Sequence, residues 1–377
     1  MNHKKVKGLL LIALMAVSGL AGCLGTDDDE DDETASTMDA ADGGYTYASN
    51  VDNHRSLMKD LCDIKTAASA YDWTTAKDIY MNGKNAQKSD DSFRTLAGFA
   101  AADGKNHGYD AYYNMSGSVD SHIMAAMDGT GDFAGASDTV RYQGIAKLTV
   151  NMGMVAYTIH ELNSAISKAD AGNVDNDSGA PHNWDEGWAF FHGPDEDYDC
   201  SPAKVMEKRA GDFGTTNAAG VANTFAAAEA AMVDGLAALQ ASDSAGYTAA
   251  AETVVKNLII TYSQAVLKYT SKMDSNESGE KYQAEGYAFW KAIEAYAADY
   301  TNACIDVEGN ATYVGNSDET ACAEGETFDG HYGADKINEI LNLQDTSQLG
   351  TSHDVTAHLE HVWAHYGITS EDIGTYA

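Results

Sequence analysis

The segment Glu186-Gly187-Trp188-Ala189-Phe190-Phe191 returns later in the chain as Glu285-Gly286-Tyr287-Ala288-Phe289-Trp290. A pattern of Glu-Gly-aromatic-Ala-Phe-aromatic written twice requires a fold that accommodates the same unit twice. The preceding stretches align as well. Ile145 to His160 lies over Val254 to Tyr269, which sets His160 opposite Tyr269 and Glu186 opposite Glu285. The pattern therefore predicts pseudo-repeat units over 138–200 and 245–304. Metal-capable side chains at matched places suggest a site between two related halves, although two copies of a packing motif would leave the same signature.

The remaining periodicity is helical. Leu57, Leu61 and Ile64 mark one face of a helix over 52–70, and a second helix is expected over 74–81, ended by Asn82-Gly83. Further helices are expected over 92–102, from Ser137 or Asp138 to the stop at Gly172, and over 216–240, 244–273, 282–304, 334–343 and 352–366. The glycine-dotted stretch 104–135 reads as loop with short helical pieces, and 306–333 as a loop tied down by cysteines. No convincing alternating strand pattern appears. The expected fold is all-α, a multi-helix domain with an internal pseudo-repeat and disulfide-tied loops.

The N-terminus speaks for the compartment. Lys4, Lys5 and Lys7 precede an apolar run from Leu9 to Val17, and Leu20-Ala21-Gly22-Cys23 supplies a small-residue cleavage site ending in cysteine. This predicts a lipoprotein signal peptide over 1–22, a lipid on Cys23 and an extracytoplasmic protein at the cell surface or in the periplasm. Contact with the membrane would be by the lipid anchor only. The run Asp27 to Glu33 is wholly acidic and predicts a disordered stalk over 23–45, leaving 46–377 as the helical domain. Outside the cytoplasm, Cys62, Cys200, Cys304 and Cys322 should form disulfides. Three pairings are possible; Cys304 with Cys322 is the preferred local pair, which leaves Cys62 with Cys200. A formal charge of -35 and a pI near 4.4 make nucleic acid a poor partner, and suit solubility or the attraction of cations.

Metal coordination has the most pointers. His182 and Glu186 are four apart, so one helix face presents both, with Asp185 adjacent. His160 and Glu161 lie on the preceding helix, and the second unit offers Tyr269, Tyr282 and Glu285. Hard oxygen donors with some imidazole suit Fe(III). A secondary metal candidate is the C-terminal helix, where His358, His361 and His365 share a narrow arc; the same spacing would also serve a solvated face. Enzyme signatures are mostly absent: His160-Glu161-Leu162-Asn163-Ser164 lacks the second histidine of a zinc protease, and paired Glu-x-x-His motifs for a ferroxidase do not stand out.

The stretch Asp72-Trp73-Thr74-Thr75-Ala76-Lys77-Asp78-Ile79-Tyr80-Met81-Asn82-Gly83-Lys84-Asn85, with Ser92-Phe93-Arg94-Thr95-Leu96-Ala97-Gly98-Phe99-Ala100, resembles the algal iron-assimilating, low-iron-inducible periplasmic proteins, the phytotransferrins. The repeated Glu motif and the segment Leu349 to Leu359 share in the resemblance. It implies a binder of ferric iron with carbonate as synergistic anion. Carbonate needs a cationic seat, for which Arg94 is the first candidate and Arg141 the second. The lipoprotein start departs from the algal pattern, so uptake by endocytosis is not carried over.

The expected function is ferric iron capture at the cell surface for delivery to an iron importer, without catalysis. The rival readings are a metal-independent adhesion or scaffold domain and an imelysin-like or ferroxidase-type enzyme.

Overall fold

The computed structural model describes residues 41–105 and 107–377; the signal sequence, Cys23 and most of the acidic stalk lie outside the described residues. In chain order the hairpin strands are β1 (Ala41–Asp42) and β2 (Tyr45–Thr46), followed by α1 (Asp52–Ser69), α2 (Trp73–Asn82), α3 (Leu96–Ala100), α4 (His107–Tyr113), α5 (Ser118–Asp128) and α6 (Asp138–Lys147). A π-helical segment over Leu148–Gly153 joins α6 to α7 (Met154–Asp170). Then come α8 (Ala180–Phe191), α9 (Pro202–Phe213), α10 (Asn223–Gln240), α11 (Ser244–Ser271), α12 (Gly279–Lys291) and α13 (Glu294–Ala297). The chain closes with β3 (Asn302–Ile305), β4 (Ala311–Gly315), β5 (Thr327–Asp329), α14 (Tyr332–Leu341), α15 (Thr356–His365) and α16 (Ser370–Ile373).

Helix α11 is the spine. It runs unbroken for 28 residues, and Asp243 caps it by accepting from Gly246 N. Every residue from Asn257 to Val266 is buried, because α7, α9, α10, α12, α15 and α16 pack around it. A helix covered on all sides carries apolar and small residues on all faces, which is how this stretch reads. The repeat is visible in the packing: each copy of the Glu-Gly-aromatic motif sits on a short helix, α8 or α12, laid against a long one, α7 or α11. Helix α8 also crosses α10 where Gly235 leaves room for Trp184. A Cβ on Gly235 would lie 2.1 Å from Trp184 Cζ2, and the indole N–H donates to Met232 O at 2.8 Å.

The all-helical expectation holds for the bulk of the chain, with local departures. Helix α3 covers only Leu96–Ala100 of the expected 92–102, since Phe93 makes an antiparallel bridge with Gln87 instead. The helix expected to reach 304 ends at Lys291. Beyond it, Asn302–Ile305 becomes the central strand of a three-stranded antiparallel sheet, order β4-β3-β5, in the region read as a loop. The order begins before residue 46: Tyr45 and Asp42 are buried, and Arg55 grips Asp42 with two N–H···O bonds of 2.6 and 2.9 Å. Among the described residues no helix is long and apolar enough to cross a membrane.

Both disulfides take the preferred pairing. Cys62–Cys200 joins α1 to the segment before α9, and Cys304–Cys322 ties β3 to the turn before β5. Their sequence separations of 138 and 18 residues differ in the chain entropy they remove, about 5 against about 3 kcal/mol in the loop-closure account. Replacing Cys62 and Cys200 together by alanine is therefore expected to lower Tm more than replacing Cys304 and Cys322, as read by calorimetry on the metal-free protein.

Candidate functional site

The most concentrated chemistry in the described residues surrounds Glu186. Its position on the buried face of α8 is fixed by its neighbours, Asp185 on one side and Trp188 on the other, whose side chains are fully enclosed. Two imidazoles converge on one oxygen: His54 Nε2 lies 3.0 Å and His182 Nε2 3.1 Å from Glu186 Oε1. Helix α7 brings Glu161 against the same carboxylate. Asn183 bridges the two acids, its amide donating to Glu161 Oε2 at 2.7 Å and to Glu186 Oε2 at 3.4 Å.

The charges of these groups act on one another. Burial and the Glu186 charge hold Glu161 well above the usual carboxylate range. Burial would raise Glu186 too, but the nearby imidazoles outweigh it and leave Glu186 well below that range. Burial, reinforced by the charge of Arg94, keeps His54 well below the ordinary imidazole value. Burial also pulls His182 downward, yet its hydrogen bond to Glu186 and that carboxylate's charge leave it raised. Two buried carboxyls in contact do not both carry a charge easily, so the pair holds its proton on the Glu161 side and its charge on the Glu186 side.

The surroundings orient these groups. His182 Nδ1 meets Ser49 Oγ at 2.8 Å, and Ser49 Oγ donates to Asp185 Oδ2 at 2.7 Å. Asp185 also accepts from Tyr45 Oη and from the amides of Ala48 and Ser49. Asp185 therefore anchors the N-terminal strap and fixes the His182 ring, rather than facing the cluster itself. Arg94 is buried and donates from Nε to Asn53 Oδ1 at 2.8 Å, and it hydrogen-bonds the Tyr157 phenol. Tyr157 is stacked between Phe99 and Phe190, at 3.5 and 3.8 Å between ring centroids. His54 Nδ1 is buried with no hydrogen-bond partner.

Of the residues nominated from sequence, Glu161, His182 and Glu186 come together, with Arg94 beside them. His160 turns instead to Phe99 and to Ser164 Oγ. Tyr269, Tyr282 and Glu285 form a different cluster. The Tyr269 and Tyr282 rings lie 6.1 Å apart, and Glu285 Oε1 is 4.0 Å from Lys147 Nζ. The two motif glutamates thus have separate partners, not one shared site. Packing also shifts the alignment of the units. Gly187 faces Glu161 Cβ as Gly286 faces Tyr269 Cβ, so Glu161 and not His160 stands opposite Tyr269. The π segment adds a residue to the first unit that the unbroken α11 lacks, which accounts for the offset.

The C-terminal histidines do not converge. His358 hydrogen-bonds Tyr313, and the His361 ring lies 6.1 Å from the same tyrosine. His365 stacks on Tyr300 at 3.7 Å. Arg141 donates to Ala126 O and lies over Trp73, away from the site. Cys304, Cys322 and Glu326 gather at ligand distances, but both sulfurs are spent in a disulfide. Sequence reasoning missed His54 and Tyr157. His54 was within reach, as it lies three before Leu57 and continues the apolar stripe of α1.

A family model described as Fea1, low iron-inducible periplasmic protein, matches residues 31–376. No curated protein and no solved structure matches the chain.

The acid pair generates a stability test. A carboxyl raised by burial favours the fold below its unfolded value and loses that contribution as pH rises through the folded one. Glu161→Gln keeps the hydrogen-bonding shape without the titration. Calorimetry of the metal-free variant between pH 5 and about 9 should show a shallower fall of Tm with rising pH than wild type; an identical fall would remove Glu161 as its source.

Proposed function

We propose, since the chain belongs to the low iron-inducible periplasmic protein family and is therefore extracytoplasmic, that it captures ferric iron at the cell surface and hands it to an importer. The lipid on Cys23 would hold it at the membrane, and the iron is cargo, not a catalytic centre. The observation that carries the reading is the convergence of two imidazoles on Glu186 Oε1, with a second buried carboxyl, Glu161, against the same side chain.

The residues present fit the ion. Glu161 and Glu186 offer hard oxygen, His54 and His182 offer imidazole, and both kinds of donor bind iron. Tyr157 is a phenol close to this set: Arg94 bonds it, and the charges of Glu161 and Glu186 act on it. A trivalent ion favours the ionised forms of Glu161 and Tyr157, against the burial that keeps both protonated in its absence. Arg94 would seat carbonate from the Asn53 side. The His182 side chain, 23% exposed, is more open than those of His54 and Glu186, so the ion would enter past it.

The test is a titration of the delipidated, metal-free protein with ferric iron, with and without bicarbonate, followed in the visible. The expected result is a tyrosinate-to-iron band that saturates at a fixed ratio and needs bicarbonate. Glu186→Ala should weaken binding by about 100-fold or more. Tyr157→Phe should lose the band, while Glu285→Ala should leave affinity and band unchanged. Full affinity in a Glu161→Ala, Glu186→Ala double variant would sink the site, and no stoichiometric binding by wild type would favour the scaffold reading.

A further inference from the structure

A second cluster, built where α6, α9, α11 and α12 meet, has the opposite electrical character. Arg209 is buried to 6% exposure, and its Nη2 lies 3.0 Å from Asp212 Oδ2, but its Nε and Nη1 have no hydrogen-bond partner. Its guanidinium carbon lies 5.3 Å from the Tyr269 ring centroid and 5.7 Å from that of Phe289. Lys147 Nζ reaches the same Phe289 ring at 6.0 Å, and Lys268 Nζ lies 5.6 Å from the Tyr269 ring. Lys147, Lys281, Arg209 and Lys268 all act on Glu285, and Lys65 and Lys208 add to the field at Lys147. Against these stand Glu285 and Asp212, the latter also 2.8 Å from Lys268 Nζ.

A chain of net charge -35 with 23 basic residues here brings six of them to bear on one place, opposed by Glu285, by Asp212 and, beside Lys208, by Asp199. Burial pulls Lys147 down to about 8; Glu285 beside it offsets this only in part, and Lys65, Lys208 and Arg209 add a lesser repulsion. Buried guanidinium N–H groups without acceptors are costly, and a surplus of positive charge in a poorly solvated place calls for an anion. The ammonium groups mark the way in, since the Lys147 and Lys268 side chains are 28% and 14% exposed.

We propose that this cluster is a second binding site, for a small multiply charged oxyanion, held by Arg209 Nε and Nη1 from within and by Lys147 and Lys268 at the mouth. Phosphate and citrate share the required chemistry, several anionic oxygens on a compact frame, and the stacked Tyr269 and Phe289 rings lie against the guanidinium and hold it in place. The site is independent of the iron reading, for it shares no donor with the Glu186 cluster.

The experiment is isothermal titration of the metal-free protein with inorganic phosphate and, separately, with citrate, at constant ionic strength in chloride. Saturable one-to-one binding of at least one is expected. Lys147→Gln should weaken it about 10-fold, the loss of one charge-assisted bond, and Arg209→Gln should abolish it, both with ferric binding unchanged. Where Arg209→Gln does not fold, Lys147→Gln decides alone. The proposal is overturned if neither oxyanion saturates, or if the folded variants bind as wild type does.

Discussion

A carboxylate taken out of water keeps its charge only if other groups solvate it. Glu186 is 9% exposed, and the groups that solvate it come from distant parts of the chain: His54 from α1, Glu161 from α7, and His182 and Asn183 from its own helix. Satisfying one side chain thus docks the first helix on the eighth. The same demand brings in the N-terminal strap, because His182 is oriented through Ser49 and Asp185, and Asp185 holds Tyr45. The Cys62–Cys200 disulfide then fastens the middle of α1 to the segment that follows α8.

The second copy of the motif meets the same physical demand differently. Glu285 is as buried as Glu186, but lysines and an arginine surround it where imidazoles and a second acid surround Glu186. A common helix pair therefore carries two electrostatic outcomes. The first gathers imidazoles and a second acid, the donors of the proposed cation site, and the second gathers the positive charge on which the proposed anion site rests. Fold and family do not decide such a difference; the side chains at a few positions do.

Much of the helical scaffold was legible because apolar residues recur at helical spacing over long stretches, as in α1 and α11. The sheet was not: β3 and β5 span four and three residues, too short for alternation to register, and their pairing is set by contacts across a cysteine-bracketed turn. Half of the Glu186 cluster was legible through the spacing of His182 and Glu186 and the echo of the motif. His54 was hidden because it lies in another helix, and a histidine in an apolar stripe gives no sign of its partner. The misplacement of His160 opposite Tyr269 has a definite cause. Aligning two helices residue by residue assumes that both wind alike, and the π segment Leu148–Gly153 breaks that assumption in one of them.

That segment has a mechanical meaning. Each residue of an α-helix turns the chain by about 100°, so one extra residue re-aims everything beyond it. Asn151 within the segment accepts from Tyr262 of α11 at 3.0 Å, which pins the re-aimed stretch to the spine. Lys147, just before it, points to Glu285, whereas Tyr157 and Glu161, just after it, point to Glu186. The α6–α7 rod is in effect a crankshaft, with two throws set at different angles on one axle and a bearing between them.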